Sequence, residues 1–371
     1  MIYLNHAATS YPKPQCVLDA HAQALAAPPA AQFRAAGGAA SFDECRAAIA
    51  QLMGVVRAER IFFTSGATEA MNGVLRGLAR PGRRFAVTEA EHNSVLRPVY
   101  NMDAEPVVLP CSSDGHVDLR AARRQIDETV GVVVVNHCSN VTGAIQNMRA
   151  LSELAHAAGA YFVADLSQSL GSLPVRADEW GADAAVFTGH KALLGPQGTG
   201  GFYLRPGLEM RPLLYGGTGQ DSTRLRYAPE DYVYEPGTRN APGIHALNAG
   251  ARYILAQSSE HIAQREAQWA RAVAQELCRM RGLTVYGRPG EDGFGAIVSF
   301  NVDALAPADL GYILSATYGI VVRTGLQCAP LLCARIGAAQ GVVRASPGPF
   351  TTAQEGDALL RAVREISGGL P

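Results

Sequence analysis

Val132-Val133-Val134-Val135 is apolar at every position. A strand with one wet face alternates apolar and polar residues. An unbroken β-branched run belongs to a strand covered on both faces, as inside a parallel sheet. The flanking sequence carries the same reading outward. Upstream, Ile61-Phe62-Phe63-Thr64 reads as a strand, 68–78 as a helix with Met71, Val74, Leu75 and Leu78 on one face, and 85–88 as the next strand. Downstream, the spacing predicts a helix over 149–158 that Gly159 ends, then strands over 161–164 and 184–187. Strand–helix alternation of this kind implies an α/β fold, a parallel sheet with helices on both faces.

The alternation breaks over 205–245, a stretch rich in Gly, Pro, Tyr and Arg that reads as irregular loops. A long helix returns over 261–280, with Ile262, Trp269, Val273, Leu277 and Met280 at helical spacing. Strands over 296–301 and 319–323 and a closing helix near 357–366 follow, so the last hundred or so residues read as a second, α+β unit. The Ala/Gly/Pro-rich stretch 22–40 reads as a helix end and a loop. At 371 residues, 48% hydrophobic, the chain can bury two such cores. A formal net charge of -1 leaves no electrostatic footprint for nucleic acid or an anionic membrane. No run of about 18 apolar residues reads as a membrane span. The first residues, Met1 to His6, carry no basic segment of a signal peptide, so a reducing cytoplasm is expected. Seven cysteines, an odd count without a CxxC pair, argue against a disulfide framework or a zinc site.

Three positions carry the chemistry. Lys191 follows a strand in Thr188-Gly189-His190-Lys191. Asp165 closes the preceding strand, beside Gln168. Cys328 lies far downstream, in Arg323-Thr324-Gly325-Leu326-Gln327-Cys328-Ala329-Pro330. Ligands of open α/β sheets bind at the carboxyl ends of strands. A desolvated lysine there forms a Schiff base readily, and a carboxylate there keeps a pyridinium nitrogen protonated. A loop thiol near arginine is a candidate thiolate. A pyridoxal phosphate enzyme with a nucleophilic cysteine would space them this way. Each also has a structural reading: a turn lysine, a helix-capping aspartate, a small buried hydrophobe. That last role suits Cys16, Cys45, Cys138 and Cys278 better than Cys328. Cys333, close by, is a candidate accessory thiol.

Ser65-Gly66-Ala67-Thr68-Glu69-Ala70 joins a strand to a helix. Small residues and a helix N-terminus suit a phosphate, with the Thr68 hydroxyl as a further donor, although an ordinary N-cap reads the same way. The segment is neither a Walker A motif nor a GxGxxG turn. His92, in Glu91-His92-Asn93-Ser94, follows a strand and can stack on an aromatic cofactor or shuttle protons, or it is simply structural. Arg344, in Val342-Val343-Arg344-Ala345-Ser346-Pro347, can clamp a carboxylate with its planar fork.

In this order the pieces resemble the class V aminotransferase family of fold-type I pyridoxal phosphate enzymes, and within it the cysteine desulfurases and selenocysteine lyases. The resemblance runs from Tyr3-Leu4-Asn5-His6-Ala7-Ala8-Thr9-Ser10 to Arg344-Ala345-Ser346-Pro347-Gly348-Pro349-Phe350-Thr351-Thr352. It is strongest at 64–70, Glu91-His92-Asn93, Ser139-Asn140-Val141-Thr142-Gly143, Ala164-Asp165-Leu166-Ser167-Gln168-Ser169, Gly189-His190-Lys191 and the Cys328 loop. It implies a large domain over 16–245 with a mostly parallel seven-stranded sheet flanked by helices, and a smaller α+β domain from 1–15 and 246–371. It implies that Lys191 carries pyridoxal 5'-phosphate, that Asp165 pairs with the pyridinium nitrogen, that Gln168 bonds the ring hydroxyl and that His92 stacks on the ring. Ala67, Thr68, Thr188 and His190 hold the phosphate, and Thr238 reaches the phosphate of the neighbouring subunit, which implies a homodimer with shared sites. Asn140 and Arg344, with Arg323 beside them, hold the substrate carboxylate. Cys328 takes sulfur from L-cysteine as a persulfide, alanine leaves, and a sulfur-acceptor protein empties the enzyme.

Two departures stand out. The cysteine loop is short, like that of the subgroup which often depends on a dedicated acceptor, yet Gln327 stands where that subgroup commonly has histidine. The segment 33–42 lacks the Arg- and His-containing pattern of close relatives, near the substrate mouth. The alternatives are a selenocysteine lyase, a class V lyase, epimerase or aminotransferase in which Cys328 is incidental, and a non-enzymatic binding paralogue.

Overall fold

The structure is a computed structural model that describes residues 1–27, 40–102, 105–218, 223–227 and 233–369. Its strands are β1 (Ile2–Tyr3), β2 (Ile61–Thr64), β3 (Arg84–Thr88), β4 (Val107–Leu109), β5 (Val130–Asn136), β6 (Tyr161–Asp165), β7 (Ala184–Thr188), β8 (Gly200–Leu204), β9 (Leu283–Tyr286), β10 (Val298–Val302), β11 (Ile320–Val321), β12 (Arg323–Gly325) and β13 (Val342–Ala345). The largest sheet has seven strands in the order β2-β8-β7-β6-β5-β3-β4. From β7 to β4 every pairing is parallel, while β8 runs antiparallel to both β7 and β2. The expected α/β architecture with a mostly parallel seven-stranded sheet is present.

The four valines show how the sequence builds this sheet. Val132 and Val134 enter one core with Met71, Val74 and Leu75 of the helix Ala67–Leu78. Val133 and Val135 enter another with Leu151 and Ala155 of the helix Met148–Ala157. None of the four exceeds 1% exposure. Burial therefore contributes about 1.5–3 kcal/mol per side chain on either face. Gly159, at φ +71°, terminates the second helix in a left-handed conformation that glycine adopts without steric penalty.

A four-stranded sheet, β12-β13-β10-β9, lies at the other end of the chain. Phe300 and Val343 from this sheet share a third core with Trp269, Leu310 and Leu359. Those three come from the helices Ser259–Cys278, Pro307–Tyr318 and Ala353–Gly368. β1 and β11 form a separate parallel pair.

The structure corrects several expectations. The stretch 319–323 is not one strand: Ile320–Val321 pairs with β1, whereas Arg323 begins a strand of the four-stranded sheet. The irregular region ends before 245, because a helix runs over Ala241–Gln257. Its Asn240 cap accepts from the Gly243 amide, and its proline falls in the first turn, where no hydrogen bond is lost. The long helix begins at Ser259 and leaves Met280 beyond its end. Cys16 and Cys278 are exposed, not buried; only Cys45 and Cys138 of that group are core residues. The departure over 33–42 falls largely outside the described residues. Among the described residues, no helix is long and apolar enough to cross a membrane.

Glu235 pins the irregular segment to the sheet. Its carboxylate meets Arg46 Nη2 at 2.8 and 2.7 Å, accepts the Phe63 amide of β2 at 2.7 Å and receives Arg239 Nη1 at 3.0 Å. Both Glu235 and Arg46 are buried. Removing one member of such a pair leaves a desolvated charge behind. Glu235→Ala is therefore expected to lower unfolding free energy by about 3–5 kcal/mol. Chemical denaturation of the two proteins checks this.

Candidate active site

Polar residues end three adjacent parallel strands: Asn136 on β5, Asp165 on β6 and Thr188 on β7. The register pairs Asn136 with Asp165 and Asp165 with Val186. Neighbouring strands stand about 4.8 Å apart, so the three side chains converge at one sheet edge. They open into a cleft of about 430 Å³. Of the residues selected from sequence, Ala67, Thr68, His92, Asn140, Asp165, Gln168, Thr188, His190, Lys191 and Arg323 line it. Cys328 and Arg344 stand close enough to act electrostatically on Lys191. Thr238 lines a neighbouring cleft, which shares Ser65, Glu69 and Gly198 with the first.

The helix Ala67–Leu78 starts at this cleft. Gly66 caps it without any side-chain hydrogen bond. Its φ of +155° suits glycine, and the space a Cβ would take is open. The first amides and the positive end of the helix dipole are thus available to an anion. Glu69 folds back onto Ser65, accepting from its amide at 2.8 Å and its hydroxyl at 2.5 Å.

Burial lowers the Lys191 amine to about 8; the nearby Arg344 and Arg323 charges push the same way, against Asp165 and Cys328. A substantial neutral fraction is therefore present near neutrality, the nucleophilic form of an amine. His92 is lowered to about 4, first by burial and then by the Lys191 charge. Its Nδ1 accepts the Ser94 amide at 3.0 Å, which puts the proton of the neutral ring on Nε2. Asp165 is buried and its Oδ1 accepts the Ser167 amide at 2.8 Å. Gln168 donates one amide hydrogen to the Ala7 carbonyl at 3.0 Å, which ties the N-terminal segment to the cleft wall. The His190 carbonyl accepts from Lys13 Nζ at 3.0 Å and from the Ser10 amide at 3.0 Å. The peptide before Lys191 is held from the same segment.

The cysteine loop spans Leu326 to Ala329, between β12 and the helix Pro330–Arg335. Gln327 and Cys328 take φ of +53° and +60°, two successive left-handed non-glycine residues. Such a conformation costs about 1–2 kcal/mol per residue. Cys328 is half-buried, and Arg323 Nη2 donates to its Sγ at 3.2 Å. The Cys328 carbonyl accepts the Asn93 amide at 2.7 Å, linking the loop to the His92 turn. Asn140 Nδ2 donates to the Gln327 carbonyl at 2.6 Å, and Arg344 Nη1 donates to the Asn140 carbonyl at 2.9 Å. Arg344 is fully buried, its Nε has no partner, and burial lowers it to about 9.

Sequence reasoning passed over Glu91 and Asn136. Glu91 is buried below the cleft, its Oε1 taking the Thr88 hydroxyl at 2.7 Å and the Asn136 amide at 2.9 Å. Burial raises it to about 8, so it is mostly the neutral acid at pH 7. The signal for Asn136 was legible: a polar residue closing an otherwise apolar strand.

The residues present suit pyridoxal phosphate. The uncapped helix start faces the cleft, the Ser167 hydroxyl and His190 Nδ1 are buried without partners, and an amine and a carboxylate share the wall.

The model for "Aminotransferase class-V" matches residues 2–359. The chain is 33% identical to a probable cysteine desulfurase of Methanothermobacter thermautotrophicus, over 84% of this chain and 80% of that one. It is 32% identical to a cysteine desulfurase of Pectobacterium atrosepticum, over 99% and 93%. The structure matches the apo cysteine desulfurase of Thermococcus onnurineus with a TM-score of 0.89 and 29% identity, covering 100% of this chain and 95% of that one. With a family match across nearly the whole chain and this arrangement at the strand ends, the chain belongs to the class V aminotransferase family.

Proposed function

We propose that the chain is a pyridoxal phosphate-dependent cysteine desulfurase that converts L-cysteine to L-alanine and holds the sulfur as a persulfide on Cys328. The observation that carries this reading is the thiol at the end of a short loop, 3.2 Å from Arg323 Nη2, beside the cleft that holds Lys191 and Asp165. A general aminotransferase has no need of a thiol there.

Lys191 would hold the cofactor, Asp165 its ring nitrogen, Gln168 its ring hydroxyl and His92 its face. Ala67, Thr68, Thr188 and His190 would hold its phosphate at the helix start. When bound, the cofactor supplies an electron sink. Arg344 and Arg323 attract the substrate carboxylate, with Asn140 between Arg344 and the cysteine loop. The neutral Lys191 amine is poised to take the substrate α-proton. The Cys328 thiolate forms an S–S bond to the substrate sulfur as the carbon–sulfur bond breaks. The electron pair of that bond stays on the carbon fragment, which is protonated and leaves as alanine.

Our reading includes a homodimer in which Thr238 serves the partner's phosphate. Leu214 and Tyr215, near the Thr238 cleft, are exposed, a surface that suits burial between copies. It also includes the domain division at 245/246, a cytoplasmic setting and a sulfur-acceptor protein, since a short loop carries a persulfide only a short way.

Purified protein incubated with L-cysteine, L-selenocysteine and L-cysteine sulfinate, with and without a thiol reductant, tests the activity. Alanine from cysteine is expected, faster with reductant. Alanine from selenocysteine alone would reassign the substrate, and none from any of the three would defeat the reading. The phosphate cradle has its own test. A Cβ on Gly200 would stand 2.7 Å from Gly66 Cα and 2.8 Å from the Phe187 carbonyl oxygen. Gly200→Ala is expected to displace Gly66 at a cost of about 1–3 kcal/mol. Titration with pyridoxal phosphate should show affinity reduced about tenfold or more.

A further inference from the structure

Gln327 is 2% exposed and sits immediately before the thiol, yet it does not line the cleft. Its Nε2 lies 3.3 Å from the Arg323 carbonyl oxygen, 3.2 Å from that of Gly325 and 3.3 Å from that of Val342. Turning the amide over would set Oε1 against three carbonyl oxygens, so the nitrogen is the atom that belongs there. The three carbonyls come from β12 and from β13, its neighbour in the four-stranded sheet. The main chain of Gln327 is gripped as well, its carbonyl accepting Asn140 Nδ2 at 2.6 Å. Gln327 and Cys328 are consecutive left-handed residues, and the Cys328 carbonyl is held in turn by the Asn93 amide at 2.7 Å.

We propose that Gln327 is a positioning residue: its side-chain amide clasps the β12–β13 ladder and thereby fixes Cys328 against Arg323, without exchanging protons with the thiol or the substrate. The inference rests on the desulfurase reading for its kinetic consequence, though not for the clasp itself. An imidazole at this position has only one hydrogen per ring nitrogen to offer the three carbonyls, so it would hold the loop less completely. An amide is also uncharged at every physiological pH, so a proton-transfer role at 327 is closed. The residue before the nucleophile is thus a mechanical group rather than an ionisable one.

The test uses holoenzyme of wild type, Gln327→Met and Gln327→His. Methionine keeps the length and apolar stem while removing both donors. Hydrogen exchange by mass spectrometry over 326–333, together with the rate of Cys328 alkylation by iodoacetamide, reads the loop. Alanine release reads the chemistry. In Gln327→Met, exchange is expected to rise about tenfold in this peptide and nowhere else. Alkylation should quicken, and kcat for cysteine should fall about 10²-fold. KM, the visible spectrum and the shape of the pH–rate profile are expected to stay as in wild type. Gln327→His should fall between the two and serves as the milder variant should methionine not fold. Unchanged local exchange with unchanged kcat would overturn the clasp while leaving the desulfurase reading intact. A wild type that releases no alanine, alongside a loosened Gln327→Met loop, would overturn the activity and leave the clasp standing. A changed pH profile in Gln327→His, with the loop as tight as in wild type, would assign position 327 to acid–base work instead.

Discussion

Cys328→Ala is expected to lose alanine release from L-cysteine by a factor on the order of 10⁴ to 10⁶, the range seen when a nucleophile is deleted from a cooperating set. Its visible absorption and its affinity for pyridoxal phosphate should match wild type, because the residues that would hold the cofactor are untouched. The loss should be deep because no other thiol can stand in. Cys138 also borders the cleft, but burial pushes it up to about 12 and its Sγ contacts the Gly143 carbonyl. Cys333 is buried at about 11, its thiol turned to the Leu326 carbonyl. Both remain protonated at neutral pH, and a thiol is a poor nucleophile beside its anion. Alanine assays, with mass spectrometry of the persulfide-bearing peptide, check the outcome. A variant that retained more than a few per cent of the wild-type rate would return Cys328 to an incidental role.

Lys191→Ala is expected to be as damaging to turnover and to show it in a second signal. Borohydride reduction of wild type should fix pyridoxal phosphate to Lys191, and the variant should carry no label on that peptide. The lowered lysine adds a pH dependence with a definite sign. Only the neutral amine attacks an aldehyde, and the folded value is about 8 rather than 10.5. Attachment of the cofactor to the apo protein should therefore speed up about tenfold per pH unit from pH 6 to 7.5 and level off above 8. An exposed lysine would keep gaining beyond pH 9. A rate that still climbs there would mean that burial does not depress this amine.

Much of this site could be read without coordinates because its chemistry is local. Asp165 and Thr188 close apolar strands, Lys191 lies just past the second of them, and parallel topology delivers these strand ends to one edge. The sheet was legible through the valine run for the same reason. Strand β8 was not. Gly200 and Gly201 sit in a glycine-rich run that reads as a turn, yet a Cβ on Gly201 would stand 2.2 Å from the Phe62 carbonyl oxygen. The strand uses glycine because β2 comes so near, which is a tertiary demand. The clasp at Gln327 was equally hidden: its partners are main-chain carbonyls of Arg323, Gly325 and Val342, and backbone oxygens leave no mark in side-chain patterns. Glu91 was missed because an acid beside a histidine looks solvent-facing until burial is known.

The pairing of Ile2–Tyr3 with Ile320–Val321 has a consequence for biogenesis. Ala7 receives the Gln168 amide and gives its own amide to Ser346 Oγ at 2.9 Å, so the amino-terminal segment bridges early and late parts of the chain. All seven strands of the central sheet have been made once β8 has been synthesised, whereas Ser346, which holds Ala7, is made much later. The wall of the cleft is thus put together from parts of the chain made early and late in synthesis.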